Sequence, residues 1–322
     1  MLGAFFAICS AATFGFNSAT IRRGVLSGSV FQAMAITVPI GVPLFLLAAV
    51  ISGQLGGIIS FGWPGTGYLA LAGILHFVWG RYWNYVAVRE MGANLSGAVQ
   101  QMSLVAALAL AMILLDEKLT VLRVVGIALV VSGPLIMTQR RARPKNGKDK
   151  KTKEGFQPNI LAGYTAGLMA TLGYALSPIL VKAGLAETGL SLAGGAVSYM
   201  AATLAFSLIL FMPGRIKHVL SVERSAAKWF TISGLFVFIA QMFRYLALAI
   251  APVTVVTPIQ RVSLVFRILL STALNREHEL FDSRVVIGMV VSLLGALALT
   301  LSIDFVAEFV SLPPWVIDWR CP

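Results

Sequence analysis

The sequence is poor in charged residues, and this scarcity excludes most classes of soluble protein. Only 12% of its 322 residues are Asp, Glu, Lys or Arg, whereas 58% are hydrophobic. Soluble domains carry about 25% charged and about 45–50% apolar residues. A chain of this composition cannot hide its apolar surface in one core surrounded by water, so we expect an integral membrane protein with several spans.

Cysteine, histidine and the common catalytic motifs are equally scarce. Two cysteines and three histidines give no disulfide framework and no cluster with the spacing of a metal site. The chain contains no H-E-x-x-H, no G-x-x-x-x-G-K-[ST] and no G-x-S-x-G segment. We therefore expect no enzymatic activity, no metal, no cofactor and, without a nucleotide-binding loop, no direct use of ATP.

The chain has instead a series of long apolar runs. A helix needs about 20 apolar residues to cross ~30 Å of hydrocarbon, and backbone groups in lipid must be hydrogen-bonded within the segment. Ten runs meet this length, so we predict an all-α integral membrane fold with ten transmembrane helices. They are Leu2–Ile21, Val30–Ile51, Thr66–Val88, Ala93–Leu114, Leu119–Met137, Ile160–Val181, Ser191–Phe211, Trp229–Ile250, Val253–Leu274 and Val285–Ile303.

Basic residues outnumber acidic ones, and their positions predict an orientation. Eight of the 25 Lys and Arg residues fall in RRARPKNGKDKKTK, so the net charge of +12 reflects one linker rather than a nucleic-acid surface. Apart from the four arginines inside the membrane, 17 of the basic residues follow odd-numbered helices and 4 follow even-numbered ones. Because positive loops stay in the cytoplasm, we expect linker 139–158 inside the cell, both termini outside, and a location in the bacterial inner (cell) membrane.

One polar segment occurs twice, 160 positions apart: VQQMSLV at Val99–Val105 returns as IQRVSLV at Ile259–Val265. The same shift divides the chain into two five-helix repeats, 1–138 and 159–304, followed by a short tail, 305–322. An odd number of helices per repeat makes the two halves enter the bilayer with opposite polarity. This predicts the inverted-repeat architecture of secondary transporters, with the substrate site at the repeat interface.

The duplicated order of motifs resembles the ten-helix, EamA-type members of the drug/metabolite transporter superfamily. The resemblance rests on NYVA at Asn84–Ala87 and RYLA at Arg244–Ala247, on a glutamate near the end of the fourth and ninth helices, and on glycines in the fifth and tenth. It covers nearly the whole chain outside the linker and the tail. It implies export or uptake of small metabolites by alternating access and leaves the substrate open.

Polar side chains inside the predicted helices are the candidates for substrate binding, because a charge at mid-membrane costs about 2.5–3.5 kcal/mol on insertion scales. No Asp or Glu lies at the depth of the four intramembrane arginines, so a cavity between them would attract carboxylate or phosphate. Residues three or seven positions apart share a helix face. The predicted substrate-binding residues are Arg81, Asn84, Gln100, Ser103, Arg244, Tyr245, Gln260, Arg261, Ser263 and Arg267.

Several of these residues have an equally good structural interpretation. Gln100 and Gln260 are explained as well by hydrogen bonds between helices, and Arg267 by a side chain that reaches the cytoplasmic interface. Arg261 lies nearest the centre of its helix, so we expect it to bind the anionic group. His76 is the candidate for proton coupling because it titrates near neutral pH, with a hydrogen-bonded packing role as the alternative.

Together these features predict a secondary transporter, in the direction of export, for a small anionic or zwitterionic metabolite such as an amino acid or an organic acid. Its partners are then the substrate and the lipid bilayer, with no nucleic acid, and the oligomeric state is left open. Two alternatives remain. One is a flippase for a lipid-linked anionic group, which needs a lateral opening beside the arginines, and the other is a membrane scaffold that does not transport.

Overall fold

The computed structural model describes residues 2–106, 109, 119–138, 157–279, 282–300 and 320–321, and these are almost entirely helical. Most of the linker and of the tail, and the end of the fourth predicted helix, lie outside the described residues. The α-helices are α1 Leu2–Gly24, α2 Val30–Thr37, α3 Gly41–Ile51, α4 Gly62–Gly73, α5 Arg81–Gln100, α6 Val121–Thr138, α7 Ile160–Leu185, α8 Ser191–Leu210, α9 Arg215–Leu220, α10 Arg224–Ile250, α11 Val253–Arg261, α12 Ser263–Leu274 and α13 Ser283–Thr300.

Shorter elements complete the described chain. Single 3₁₀ turns occur at Leu55–Ile59 and Arg276–His278, and a π-helical turn, Ile74–Gly80, joins α4 to α5. A two-residue antiparallel strand pair joins Leu119–Thr120 to Arg320–Cys321. Helices therefore supply nearly all of the described backbone hydrogen bonds, as a lipid environment requires.

Six helical segments within the described residues are long and apolar enough to cross a bilayer, and two more apolar helices are shorter. The six are Leu2–Gly24, Val30–Ile51, Ile160–Leu185, Ser191–Leu210, Arg224–Ile250 and Val255–Leu274, and the shorter two are Val121–Met137 and Ser283–Leu299. Large apolar side chains such as Leu47, Leu204 and Leu208 are more than half exposed on their outer faces. An exposed apolar perimeter of this extent suits helices that face lipid.

A bend at Gly92 separates the third and fourth predicted helices within α5. The φ angle of Gly92 is 87°, in the left-handed region that glycine enters without strain. The bend frees the amide groups of Ala93 and Asn94, and both donate hydrogen bonds to the carboxylate of Glu279. A carboxylate at the start of a helical segment satisfies its free N–H groups and its dipole. The break between the third and fourth predicted helices therefore lies at Gly92, between the predicted boundaries at Val88 and Ala93.

The two halves of the chain pack against each other rather than separately. Helix α1 packs along α10, and α5 packs along α7. At the end of α1, Arg22 donates to the carbonyl oxygen of Val88 at 2.9 Å, and at the end of α7, Lys182 donates to that of Leu248 at 2.9 Å. Both the donors and the acceptors of these two hydrogen bonds are 160 positions apart.

Helices α6 and α13 form a pair whose contact depends on glycine. A Cβ atom on Gly133 would lie 2.0 Å from Ser292 Oγ, and one on Gly295 would lie 2.6 Å from the backbone nitrogen of Val130. Small residues that let two backbones approach are the usual basis of helix association in membranes. The glycines noted in the fifth and tenth predicted helices are thus packing residues in the contact between these two helices.

Candidate functional site

A polar cavity of about 90 Å³ lies between the two halves of the chain, enclosed by α1, the π-helical turn, α5, α7, α10 and α12. Six residues that the sequence predicted for the site line it: His76, Arg81, Asn84, Gln100, Ser263 and Arg267. The rest of its lining is Phe14, Asn17, Ser18, Tyr85, Tyr174, Val237 and Gln241. Among the described residues that line it, the charged ones are thus arginines, and none is a carboxylate.

Arg81 is fixed in the cavity wall by neutral groups. Its side chain is 2% exposed, and its two terminal nitrogens donate to the carbonyl oxygen of Thr37 and to the hydroxyl of Tyr199, each at 2.9 Å. The guanidinium carbon also lies 5.0 Å from the ring centre of Phe77. Cation–π contact and hydrogen bonds to neutral acceptors orient a guanidinium without cancelling its charge.

Arg267 enters the cavity from α12 and meets α5 just beyond the bend at Gly92. Its Nη1 donates to the carbonyl oxygen of Ala93 at 3.1 Å, and its Nη2 lies 3.5 Å from Gln100 Oε1. Gly97 leaves room for it, because a Cβ there would lie 2.5 Å from Nη1. The Nε of Arg267 is buried without a hydrogen-bond partner among the described residues. The guanidinium of Arg267 thus keeps one unused hydrogen-bond donor, at a buried atom next to the cavity-lining part of the side chain.

Asn84 and Gln100 continue the polar wall from Arg267. The amide of Gln100 donates to Asn84 Oδ1, which links two segments of α5 on either side of its bend. Because Gln100 Oε1 faces Arg267, its amide nitrogen faces Asn84, and the orientation of both side chains is fixed. Gln100 thus makes a hydrogen bond between two helical segments, as its structural alternative predicts, and it also lines the cavity.

His76 is held by a hydrogen-bond network that starts in the cavity wall and continues behind it. Gln241 Oε1 accepts a hydrogen bond from Arg244 at 3.0 Å, so the Gln241 amide nitrogen faces His76 Nε2, 2.8 Å away. His76 Nε2 must then accept, which requires the neutral ring with its proton on Nδ1. A second proton on Nε2 would lose this hydrogen bond. The arrangement favours the packing role of His76 in this conformation, while proton coupling stays a prediction.

The other predicted site residues lie outside the lining of this cavity. Arg244 is one layer behind Gln241 and donates to Ser177 Oγ at 3.0 Å. Gln260 donates to Ser10 Oγ in α1 at 2.9 Å. The residues of this group are Ser103, Arg244, Tyr245, Gln260 and Arg261. Their contact with a substrate stays a prediction.

Seven lining residues were not predicted from the sequence, and the repeat is the signal that points to four of them. Gln241 is equivalent to Arg81 under the shift of 160 positions, and Asn84 is equivalent to Arg244. Each half therefore offers one arginine and one amide three residues apart, in exchanged order. The same shift pairs Tyr85 with Tyr245 and Phe14 with Tyr174, so the lining residues Tyr85, Phe14 and Tyr174 follow from the repeat as well.

A buried ion pair lies one helical turn beyond the cavity-lining Ser18. Arg22 and Glu279 approach to 3.5 Å, and both are less than a tenth exposed. Burial raises the pKa of the Glu279 carboxyl above its ordinary value, while Arg22 and the amides of Ala93 and Asn94 oppose the rise. This pair joins α1, α5 and the segment after α12 at one end of the molecule.

No three His, Cys, Asp or Glu side chains group closely enough to hold a metal ion in the part of the chain that the structure describes. The model of the EamA-like transporter family matches residues 1–139 and again residues 161–301. The chain belongs to the EamA-like transporter family. The resemblance drawn from the duplicated motifs is thus confirmed, and this EamA-like protein is a multi-pass membrane transporter.

Comparison with solved structures supports the fold of this EamA-like transporter. One structure, titled only "Crystal structure of protein", is similar to it with a TM-score of 0.57 and 18% identity. The similarity covers 92% of this chain and 94% of the other. No curated protein matches the sequence. The cavity itself therefore has to indicate what is transported.

Proposed function

We propose that this protein is a secondary transporter that exports a small anionic or zwitterionic metabolite, such as an organic acid or an amino acid, across the bacterial inner membrane. The observation that carries the proposal is the cavity between the halves, whose described lining contains Arg81 and Arg267 and no carboxylate. A guanidinium fork binds carboxylate or phosphate with two parallel hydrogen bonds. In a site shielded from water, such a contact is stronger than at a surface.

The lining favours an organic acid over an amino acid. A substrate ammonium group needs a carboxylate or several free oxygen acceptors, and two of the amide oxygens nearby, those of Gln100 and Gln241, already face arginines. The cavity is also small, about 90 Å³, which suits a compact anion better than a lipid-linked group. The flippase alternative gains no support from a cavity of this size.

We propose ten transmembrane helices in two inverted repeats as the architecture that carries this transport. Two observations support it. The family model matches each half separately, and the hydrogen bonds Arg22–Val88 and Lys182–Leu248 occupy equivalent places in the two halves. Rocking of one half against the other would then expose the cavity alternately to each side. Without a nucleotide-binding loop in the sequence, a substrate or proton gradient would drive the cycle.

Flux of labelled compounds into proteoliposomes tests this proposal. The panel holds small organic acids, amino acids, and neutral amides of the same acids, each offered with and without the unlabelled compound inside. We expect uptake of at least one acid, accelerated by the same acid on the far side, and none of its amide. Uptake of neutral or cationic compounds alone would contradict the anion proposal. Absence of any flux from well-folded protein would favour the scaffold alternative.

A further inference from the structure

A second cavity, of about 500 Å³, lies apart from the polar one and has apolar, aromatic walls. Its size is within the ~300–1,000 Å³ of pockets that enclose an organic ligand. It opens between the start of α2, the segment from the π-helical turn into α5, the end of α8, and the short helix α9. Among its walls are Phe31, Met34, Trp79, Tyr82, Trp83 and Phe206.

This aromatic pocket is continuous with the lipid-facing perimeter of the molecule. The side chains of Trp79 and Ile209 in its wall are 42% and 39% exposed, and Leu208 beside them is 71% exposed. The indole nitrogen of Trp79 donates to the carbonyl oxygen of Met169 at 2.8 Å, which fixes the ring. Tryptophan and tyrosine are enriched where membrane helices meet the headgroup layer. An acyl chain would reach this pocket directly from the bilayer.

The rim of the pocket carries an available cation, Arg215. The residue is exposed, and its guanidinium carbon lies 4.8 Å from the ring centre of Phe31. No carboxylate of the described residues lies within 4.0 Å of it. Arg89 lines the same rim but pairs with Glu90 at 2.8 Å, so it adds little net charge.

Helix α9, which carries Arg215, is held against the start of α2. The side-chain amide of Gln32 donates to the carbonyl oxygen of His218 at 2.8 Å, and Ser29 Oγ lies 2.8 Å from His218 Nε2. Arg215 is therefore placed over the pocket by structure. It also lies at the end of the molecule where α1 ends and α10 begins, which the basic residues predict to be cytoplasmic.

We infer that the aromatic pocket binds an anionic phospholipid from the adjacent leaflet, with one acyl chain between the aromatic side chains and the phosphate at Arg215. The apolar walls would bind the acyl chain, and the cation of Arg215 on the rim would favour a headgroup with a net negative charge. This site is independent of the substrate proposed for the polar cavity.

Native mass spectrometry of the purified transporter, titrated with phosphatidylglycerol or phosphatidylcholine of identical chains, tests the inference. We expect one retained phosphatidylglycerol, bound at least fivefold more tightly than phosphatidylcholine. Arg215→Gln should weaken phosphatidylglycerol about fivefold, equivalent to about 1 kcal/mol, and leave phosphatidylcholine unchanged. The matched control is Arg224→Gln, an exposed arginine of the same end that does not line the pocket. Equal retention of both lipids, or equal loss in the two variants, would overturn the inference.

Fluorescence quenching by lipids with brominated chains locates the acyl chain. Brominated phosphatidylglycerol should quench more than brominated phosphatidylcholine, and this excess should disappear in the double variant Trp79→Phe, Trp83→Phe. Trp63→Phe is the control, because Trp63 is 93% exposed and outside the pocket, and it should keep the excess. Competition with oleate distinguishes a phospholipid from a free fatty acid as the occupant. If oleate displaces brominated phosphatidylglycerol at a lower concentration than unlabelled phosphatidylglycerol does, the occupant is a free acid and the phospholipid assignment is wrong.

Discussion

At the scale of single residues, the arginines of the polar cavity are oriented by neutral groups and not by carboxylates. Arg81 donates to Thr37 and Tyr199, and Arg267 donates to Ala93. A buried charge is costly unless a counter-charge compensates it. The part of the chain that the structure describes offers no carboxylate within 4.0 Å of either arginine. An anionic substrate is the compensation that we propose.

Replacing Arg267 by glutamine should weaken the apparent affinity for the transported anion by about ten- to a hundredfold. A hydrogen bond to a charged group contributes about 1.5–3 kcal/mol, and this converts to that range. Arg261→Gln is the informative comparison, because the sequence favours Arg261 for this role while the structure leaves it outside the cavity lining. The cavity lining predicts a change below about threefold for Arg261→Gln, whereas the sequence prediction requires the tenfold or greater loss there. Concentration dependence of flux in proteoliposomes measures both, and the reverse order would assign the anion to Arg261.

Arg261 lies outside the cavity lining and Arg267 lies in it, and the sequence did not predict this difference. Helical spacing placed Gln260, Ser263 and Arg267 on one face, which assumes an unbroken helix. The structure ends α11 at Arg261 and starts α12 at Ser263. Val262 between them makes i→i+3 hydrogen bonds to Ile259 and Val265, so the helix tightens there and its faces rotate. Gln260 therefore meets α1, whereas Ser263 and Arg267 meet the cavity. The residue types were predictable from their rarity in apolar runs, but the local break was not.

At the scale of elements, close backbone approach is the feature that positions the cavity walls. Helices α4 and α8 touch at Gly73, where an added Cβ would lie 2.1 Å from the carbonyl oxygen of Ser198. This contact fixes the helical stretch that carries His76 and Arg81, three and eight residues farther along. Because the neighbour is backbone and not a flexible side chain, the two helices would have to separate to admit a methyl group.

Gly73→Ala should therefore lower the stability by about 1–3 kcal/mol through overpacking. Gly67→Ala is the matched control in the same helix, because nothing lies within 4 Å of a Cβ at Gly67. We expect the control to be neutral or to gain up to about 1 kcal/mol from helix propensity. Thermal unfolding of the purified variants in detergent measures both changes. Equal midpoints in the two variants would show that the α4–α8 contact does not constrain the fold.

Glu279 is a second element-scale constraint, since its carboxylate joins Arg22 to the first amides after the bend at Gly92. The glutamate that the sequence motif places near the end of the ninth predicted helix is Glu277, two residues earlier, but Glu277 is exposed and Glu279 is buried. Removing one partner of a buried ion pair costs about 3–5 kcal/mol, because the other charge stays buried. Glu279→Gln should therefore lower the unfolding midpoint strongly, and Glu277→Gln should leave it unchanged. A midpoint that is equal in both variants would exclude this role.

At the scale of the whole molecule, the repeat is the property that the sequence revealed most clearly. The shift of 160 positions relates the motifs, the hydrogen bonds at the ends of α1 and α7, and the exchanged order of arginine and amide in α5 and α10. The sequence could not show that the halves interlock, with α1 on α10 and α5 on α7. Contacts between distant segments depend on packing that periodicity does not encode.

The central claim is that the polar cavity between the two packed halves opens to each side of the membrane in turn. The most direct measurement uses Ser263→Cys, a near-isosteric change in the cavity lining, with Cys9 and Cys321 replaced by serine. A membrane-impermeant maleimide is applied separately to right-side-out and inside-out vesicles, with and without the transported anion. We predict labelling from either side and protection by the anion from both. Labelling from one side only, or labelling that the anion never slows, would contradict the account.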